Sequence, residues 1–247
     1  MHNSSVAWRL AGWVQSLLSA FMALMLTDIL MQPNEVLLFI TDALDALGVM
    51  YCVGGSFASS TYGEPRATRD VDILAALPAT KARPFVLQIE AEFFVQLSDL
   101  YDAITLAPSL HNSPMQRASC NLVHRNSFFR VDLFIASDRP YERAQFARRI
   151  PQIVAINPER QAYFVSPEDI ILLKLDWYRM AQGILDRQWS DVQAVLATQG
   201  DTLDTAYLRH WAKQLAISDL LDAALRGVPP PRLTPPDDAA AQLRLDL

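Results

Sequence analysis

Hydrophobic positions change period along the chain in a way that orders its elements. From Glu35 to Leu47 apolar residues recur at three- and four-residue spacing, which predicts an amphipathic helix bounded by Pro33 and capped by Asn34. Short apolar runs then predict strands at 49–54 and 71–76, with a short helix over 56–62 between them and a longer one over 80–96. Runs near 103–107, 119–125 and 128–136 predict strands with no helix between them, so the sheet is expected to be mixed and partly antiparallel. A helix near 139–148 and a strand pair at 151–156 and 161–165 follow. Beyond Val165 the period is helical throughout. Ser166-Pro167-Glu168-Asp169 joins a cap, a first-turn proline and two acids that complement the helix dipole, and further helices are predicted over 187–198, 204–214 and 217–226. The expected fold class is α/β (α+β): a mixed sheet flanked by helices over residues 31–165, then a C-terminal helical bundle over 166–227.

The chemistry concentrates where the first two strands meet. Tyr51-Cys52-Val53-Gly54-Gly55-Ser56 reads as a strand, a glycine turn and a helix start, and Thr68-Arg69-Asp70-Val71-Asp72-Ile73-Leu74 as a second strand. Alternation puts Asp70 and Asp72 on one face and Val71 and Ile73 on the other. Two adjacent carboxylates repel, and a hard divalent cation converts that repulsion into coordination. Magnesium suits such a pair, because it uses one or two carboxylates and completes its shell with water and phosphate. Gly54 and Gly55 allow close backbone approach, and a helix starting at Ser56 aims free N–H groups at an anion. Arg66 or Arg69 in the intervening turn offers a phosphate partner, and the Thr68 hydroxyl can order that turn.

In Phe129-Arg130-Val131-Asp132-Leu133-Phe134-Ile135 a lone acid interrupts an apolar strand, where an ionised group needs a partner or a metal. If this strand lies beside Asp70 and Asp72, three carboxylates meet in a site for two metals; the alternative is a salt bridge from Asp132 to Arg130 or Arg125.

Gly55-Ser56, thirteen residues, Asp70-Val71-Asp72 and a later single Asp on a strand resemble the nucleotidyltransferase superfamily of the DNA polymerase β type. The run Gly63-Glu64-Pro65-Arg66-Ala67-Thr68-Arg69-Asp70-Val71-Asp72 is similar to its small bacterial members, including the toxin-like group related to the AbiEii proteins. The resemblance spans about residues 50 to 135. It implies a nucleotidyltransferase-type sheet, Gly55 and Ser56 on the nucleotide phosphates, Arg66 as the better phosphate candidate, and Asp70, Asp72 and Asp132 as metal ligands. A weaker match over 166–196, carried by Glu168-Asp169, Lys174-Leu175 and Arg187-x3-Asp191, implies that Lys174 meets the triphosphate and Asp191 supports it. Without the resemblance, Lys174 is a snorkelling surface lysine and Asp191 a helix cap.

The activity so implied is magnesium-dependent, or manganese-dependent, transfer of a nucleoside monophosphate from an NTP to a hydroxyl on a tRNA end, a protein or a small molecule. A toxin-like role would add an antitoxin partner. The alternative is a catalytically silent nucleotide- or partner-binding module of the same fold.

Other chemistries lack their signatures. Gly54-Gly55-Ser56-Phe57-Ala58 does not complete a nucleophile elbow, and no Walker Gly-Lys-Ser/Thr occurs. His2, His111, His124 and His210 have no metal-ligand spacing, so His111 and His124 read as ordinary surface or hydrogen-bonded residues. The net charge of −6 argues against a generic nucleic-acid binder, and Cys52 and Cys120, far apart in apolar strands, fit reduced thiols in a cytoplasmic protein. Leu10 to Leu26 is mostly apolar but, at seventeen residues, only at the lower edge of a membrane span. Residues 1–30 are therefore read as an extension outside the functional unit, against a packing helix or a membrane contact. The proline-rich stretch 228–247 is expected to be extended or disordered.

Overall fold

A computed structural model describes residues 32–68, 70–110, 117–181 and 186–229. The expected extension at 1–30 and the tail beyond 229 lie outside the described residues, as does Arg69. Among the described residues, no helix is long and apolar enough to cross a membrane.

Seven strands form one mixed sheet in the order β3-β4-β5-β2-β1-β7-β6. They are β1 Tyr51–Val53, β2 Asp70–Ala75, β3 Phe93–Phe94, β4 Ser119–His124, β5 Arg130–Ile135, β6 Ile150–Ile156 and β7 Glu159–Phe164. The pairs β2·β5 and β1·β7 run parallel and the rest antiparallel. The helices are α1 Pro33–Ala46, α2 Gly55–Tyr62, α3 Ala79–Ile89, α4 Leu97–Leu106, α5 Pro140–Arg148, α6 Pro167–Met180, α7 Asp186–Gln199, α8 Thr205–Gln214 and α9 Ser218–Leu225.

Alternation sorts the central strands as expected. Val71, Ile73, Leu122, Val131 and Leu133 are fully buried, whereas Asp70, Asp72, Arg130 and Asp132 are at most partly covered on the opposite face. Buried apolar side chains from α1, α3 and α4 join the first set in the core. Helices α6 and α7 stand over the second face at its polar end, which leaves room for a cavity there.

Three sequence expectations are corrected. The strand expected near 103–107 falls in α4 and the start of the 3-10 turn that follows it: the β-branched Ile104 and Thr105 suggest a strand, but α4 buries Leu100 and Ala103 on one helical stripe, and the turn buries Ala107. The helix expected over 80–96 ends at Ile89, and Phe93–Phe94 pairs with Val123 and His124 as an edge strand. The N-cap of α1 is Gln32, one residue before Pro33, and its amide donates to the Glu35 carboxylate at 2.7 Å. Asn34 instead donates its side-chain amide to the Val154 carbonyl at 3.1 Å. The Ser166 cap of α6 forms as expected, its hydroxyl accepting from the Asp169 amide at 3.1 Å.

Candidate active site

Strand β1 runs directly into Gly54, whose amide donates to the Asp72 carbonyl at 2.8 Å and ties the glycine turn to β2. Helix α2 begins one residue earlier than expected, at Gly55, with Gly54 as cap. Gly55 has φ +57°, and a Cβ there would lie 1.6 Å from Asp72 Oδ2 and 2.6 Å from its Cγ. Glycine is required twice at this position, by the left-handed backbone and by the carboxylate that fills the side-chain space. The Asp72 carboxylate thus lies against the opening residue of α2, where a helix presents unpaired N–H groups.

The parallel register of β2 and β5 sets Asp70 opposite Arg130 and Asp72 opposite Asp132. All four side chains share one face, so the three carboxylates expected to meet do share one cavity wall. Thr68 orders the approach to β2, its hydroxyl donating to the Asp70 carbonyl and to Asp70 Oδ1, each at 3.0 Å.

Asp132 shares the carboxylate face and also forms the salt bridge to Arg130 that was its alternative reading. Arg130 Nη2 donates to Asp70 Oδ2 at 3.0 Å, and its Nε lies 3.0 Å from Asp132 Oδ1. The second approach is too oblique for a hydrogen bond, so Asp132 Oδ1 is a buried oxygen with no donor. Burial, then the charges of Asp70 and Asp132, push the Asp72 carboxyl up to about 6. Burial also raises Asp132; Arg130 opposes the rise and Asp70 adds to it. As they stand, no three His, Cys, Asp or Glu side chains among the described residues are spaced to hold a metal ion. A guanidinium bridges Asp70 and Asp132 where a cation is wanted. In chemistry, though not in this spacing, the donor set suits a hard divalent ion: it is all oxygen, crowded with negative charge, and its buried Asp132 Oδ1 has an ion-pair partner but no hydrogen bond.

A second cluster stands beside Ser56. Asp191 accepts from Lys174 Nζ at 2.7 Å, from Arg66 Nη2 at 2.9 Å and Nε at 3.2 Å, and from the Ser59 hydroxyl at 3.2 Å. Arg66 Nη2 also donates to Ser56 Oγ at 2.8 Å. Burial acts to raise the Asp191 carboxyl, but Arg66 and Lys174 outweigh it and hold the group below the ordinary range. Only 6% of the Lys174 side chain is exposed, so it does not snorkel, and Asp191 lies within α7 rather than at its cap. Arg66 and Asp191 hold Ser56 and Lys174, which line the cavity, without lining it themselves.

The cavity measures about 260 Å³. Gly55, Ser56, Asp70, Asp72, Asp132 and Lys174 line it, bringing together most of the residues singled out from sequence. His124 is not among them: it is buried in β4 with its Nδ1 2.7 Å from Ser127 Oγ, and His111 lies outside the described residues. Sequence reasoning missed Arg117, Gln145, Trp177 and Gln188, which also line the cavity. Arg130 carried a usable signal, because it sits two residues from Asp132 on the same strand. Arg117 carried none, standing in an irregular segment ahead of β4.

No protein-family model matches the chain. No curated protein matches it. Among solved structures it is similar to the antibiotic-resistance factor ANT(2'')-Ia, at 10% identity over 74% of this chain and 92% of that one, with a TM-score of 0.46. A crystal structure of ANT(2'')-Ia with adenylyl-2''-tobramycin gives 11% identity, 73% and 97% coverage, and a TM-score of 0.47. The lincosamide antibiotic adenylyltransferase LnuA, lincomycin-bound, gives 15% identity, 67% and 96% coverage, and a TM-score of 0.39.

Proposed function

We propose that this chain transfers a nucleoside monophosphate from an NTP to a hydroxyl acceptor, with magnesium as the supporting ion. The observation that carries this is the meeting at Gly55. The first turn of a helix, suited to an anion, abuts Asp72, and Asp72 stands opposite Asp132 in register. A site that joins an anion cradle to clustered carboxylates suits phosphate chemistry better than any other class considered.

In this reading the α2 amides and Ser56 bind the β- and γ-phosphates, and Lys174, held by Asp191, supplies positive charge beside them. Asp70, Asp72 and Asp132 would hold magnesium, which when bound neutralises phosphate charge and acidifies the acceptor hydroxyl. Asp132, raised by burial, accepts the hydroxyl proton. The acceptor oxygen bonds the α-phosphorus in line as the bond to the bridging oxygen breaks, and pyrophosphate leaves carrying the electron pair.

One observation favours the rival of a silent nucleotide- or partner-binding module: Arg130 bridges Asp70 and Asp132. Thermal unfolding of the full chain with each of the four NTPs, with and without magnesium, beside Asp70→Asn, separates the two. At ligand near one hundred times its dissociation constant, binding adds about 2.7 kcal/mol of stability. Transfer chemistry predicts a shift with magnesium that Asp70→Asn loses. A shift indifferent to magnesium selects the silent module, and no shift with any NTP rejects the nucleotide site.

A further inference from the structure

A second cavity, of about 390 Å³, adjoins the first and shares Arg117, Phe134 and Trp177 with it. Nothing described above uses it. Its remaining described walls are Leu106, Leu110, Asp176 and Met180. Its position follows from sheet order. The anion cradle lies at the end of β1, on one side of β2, and β5 lies on the other side. Phe134 follows Asp132 by two residues on the same face of β5, so the second cavity meets the carboxylates from the β5 side, whereas Gly55 and Ser56 meet them from the β1 side. In-line displacement puts the entering oxygen opposite the leaving pyrophosphate, which is the side this cavity serves.

Asp176 sets the chemistry of what fits. It is 4% exposed, its Oδ1 is buried with no hydrogen-bond donor, and no hydrogen bond to its carboxylate exists among the described residues. A buried acceptor without a donor is costly, and a ligand that supplies one gains that energy back. Burial raises this carboxyl to about 6, while Arg117, Arg139 and Arg179 draw it down. Arg117 already places a guanidinium in the wall of this cavity, so the cavity suits a neutral donor to Asp176 better than a polycation. Leu106, Leu110, Met180 and the 43% exposed Trp177 offer an apolar wall, and the volume suits a small ligand.

We infer that this cavity is the acceptor subsite and that the acceptor is an uncharged amphipathic alcohol: its apolar body lies on Leu106, Leu110 and Met180, one hydroxyl donates to Asp176, and another meets the α-phosphorus. The inference rests on the nucleotidyl-transfer reading. The test is calorimetric titration of the full-length protein with n-hexyl β-D-glucoside as probe, beside tobramycin as a polycation and a CCA-ended RNA hairpin. Asp176→Asn should weaken the glucoside about tenfold and Met180→Trp, which fills the cavity, should abolish it. The magnesium–NTP thermal shift should persist in both variants, which shows that they fold. Equal glucoside binding by all three proteins, no glucoside binding by the wild type, or a preference for tobramycin or the hairpin overturns the inference. Glucoside binding as expected without any NTP shift overturns the transfer reading and the acceptor role with it, leaving a ligand cavity.

Discussion

At the scale of single residues, Gly55 makes the sharpest claim. Any side chain there must adopt a left-handed backbone and occupy the place of the Asp72 carboxylate. Gly54, by contrast, has its nearest neighbours 4.0 Å from a built Cβ. Gly55→Ala should therefore cost about 1–3 kcal/mol of stability and displace Asp72. An ångström of misplacement at a reacting centre lowers turnover roughly 100-fold, so transfer should fall by at least that factor. Gly54→Ala should be much milder on both counts, and equal effects in paired melts and transfer assays would show that the clash with Asp72 is not the cause. The same-face placement of Asp70 and Asp72 was legible, because a strand's period of two is rigid. The Arg130 bridge was legible only as an alternative, because choosing between a salt bridge and a metal depends on side-chain rotamers that sequence does not set.

At the scale of elements, the site depends on α6 and α7 being held together by Lys174 and Asp191. Removing one partner of a buried pair strands the other, at a cost of about 3–5 kcal/mol. Asp191→Ala should lose about that much stability and release Arg66 from its two hydrogen bonds to the carboxylate. The double change Lys174→Met with Asp191→Leu should recover most of the stability, since an apolar pair of similar size packs without the desolvation penalty. It should not recover NTP binding. Full recovery of both would make the pair purely structural. The helices of this region were legible because Ser166-Pro167 and the apolar stripes of α6 and α7 agree with one another. The segment now α4 was not, because its β-branched residues favour a strand and only tertiary burial of Leu100 and Ala103 decides for the helix. The cavity lining from Arg117 and Gln145 was illegible for a related reason: neither sits in a pattern that points to a site, and both reach it only through the packing of distant segments.

At the scale of the whole molecule, buried carboxylates set how stability responds to pH. The start of α6 is a junction: Glu168 accepts from the Asp204 amide at 2.9 Å and pairs with Arg148 at 3.2 Å, while Asp169 accepts from the Tyr207 hydroxyl at 2.8 Å. Burial acts to raise Glu168, but the Asp204 amide and Arg148 hold it below the ordinary range. Asp169 and Asp176 go the other way, burial pushing each up to about 6 despite hydrogen bonds to the first and nearby arginines for the second. A carboxyl raised in the fold keeps its proton where the unfolded chain has lost it, so its contribution is complete below about pH 4 and disappears as pH rises through about 6. Glu168 and Asp191, lowered in the fold, contribute above the ordinary carboxylate range and lose that contribution as pH falls through their folded values. Together these place maximal stability near about pH 4 to 5, with each raised carboxyl removing of order 2–3 kcal/mol by neutral pH. Thermal unfolding from pH 4 to 8 at fixed ionic strength, with a chelator so that Asp72 meets no metal, should show the melting temperature falling by several degrees between pH 5 and pH 7.5. Asp169→Asn, which keeps an oxygen to accept from Tyr207, should flatten that fall. A wild-type melting temperature that holds or rises over the same interval would mean that Asp169 and Asp176 are not held protonated by the fold.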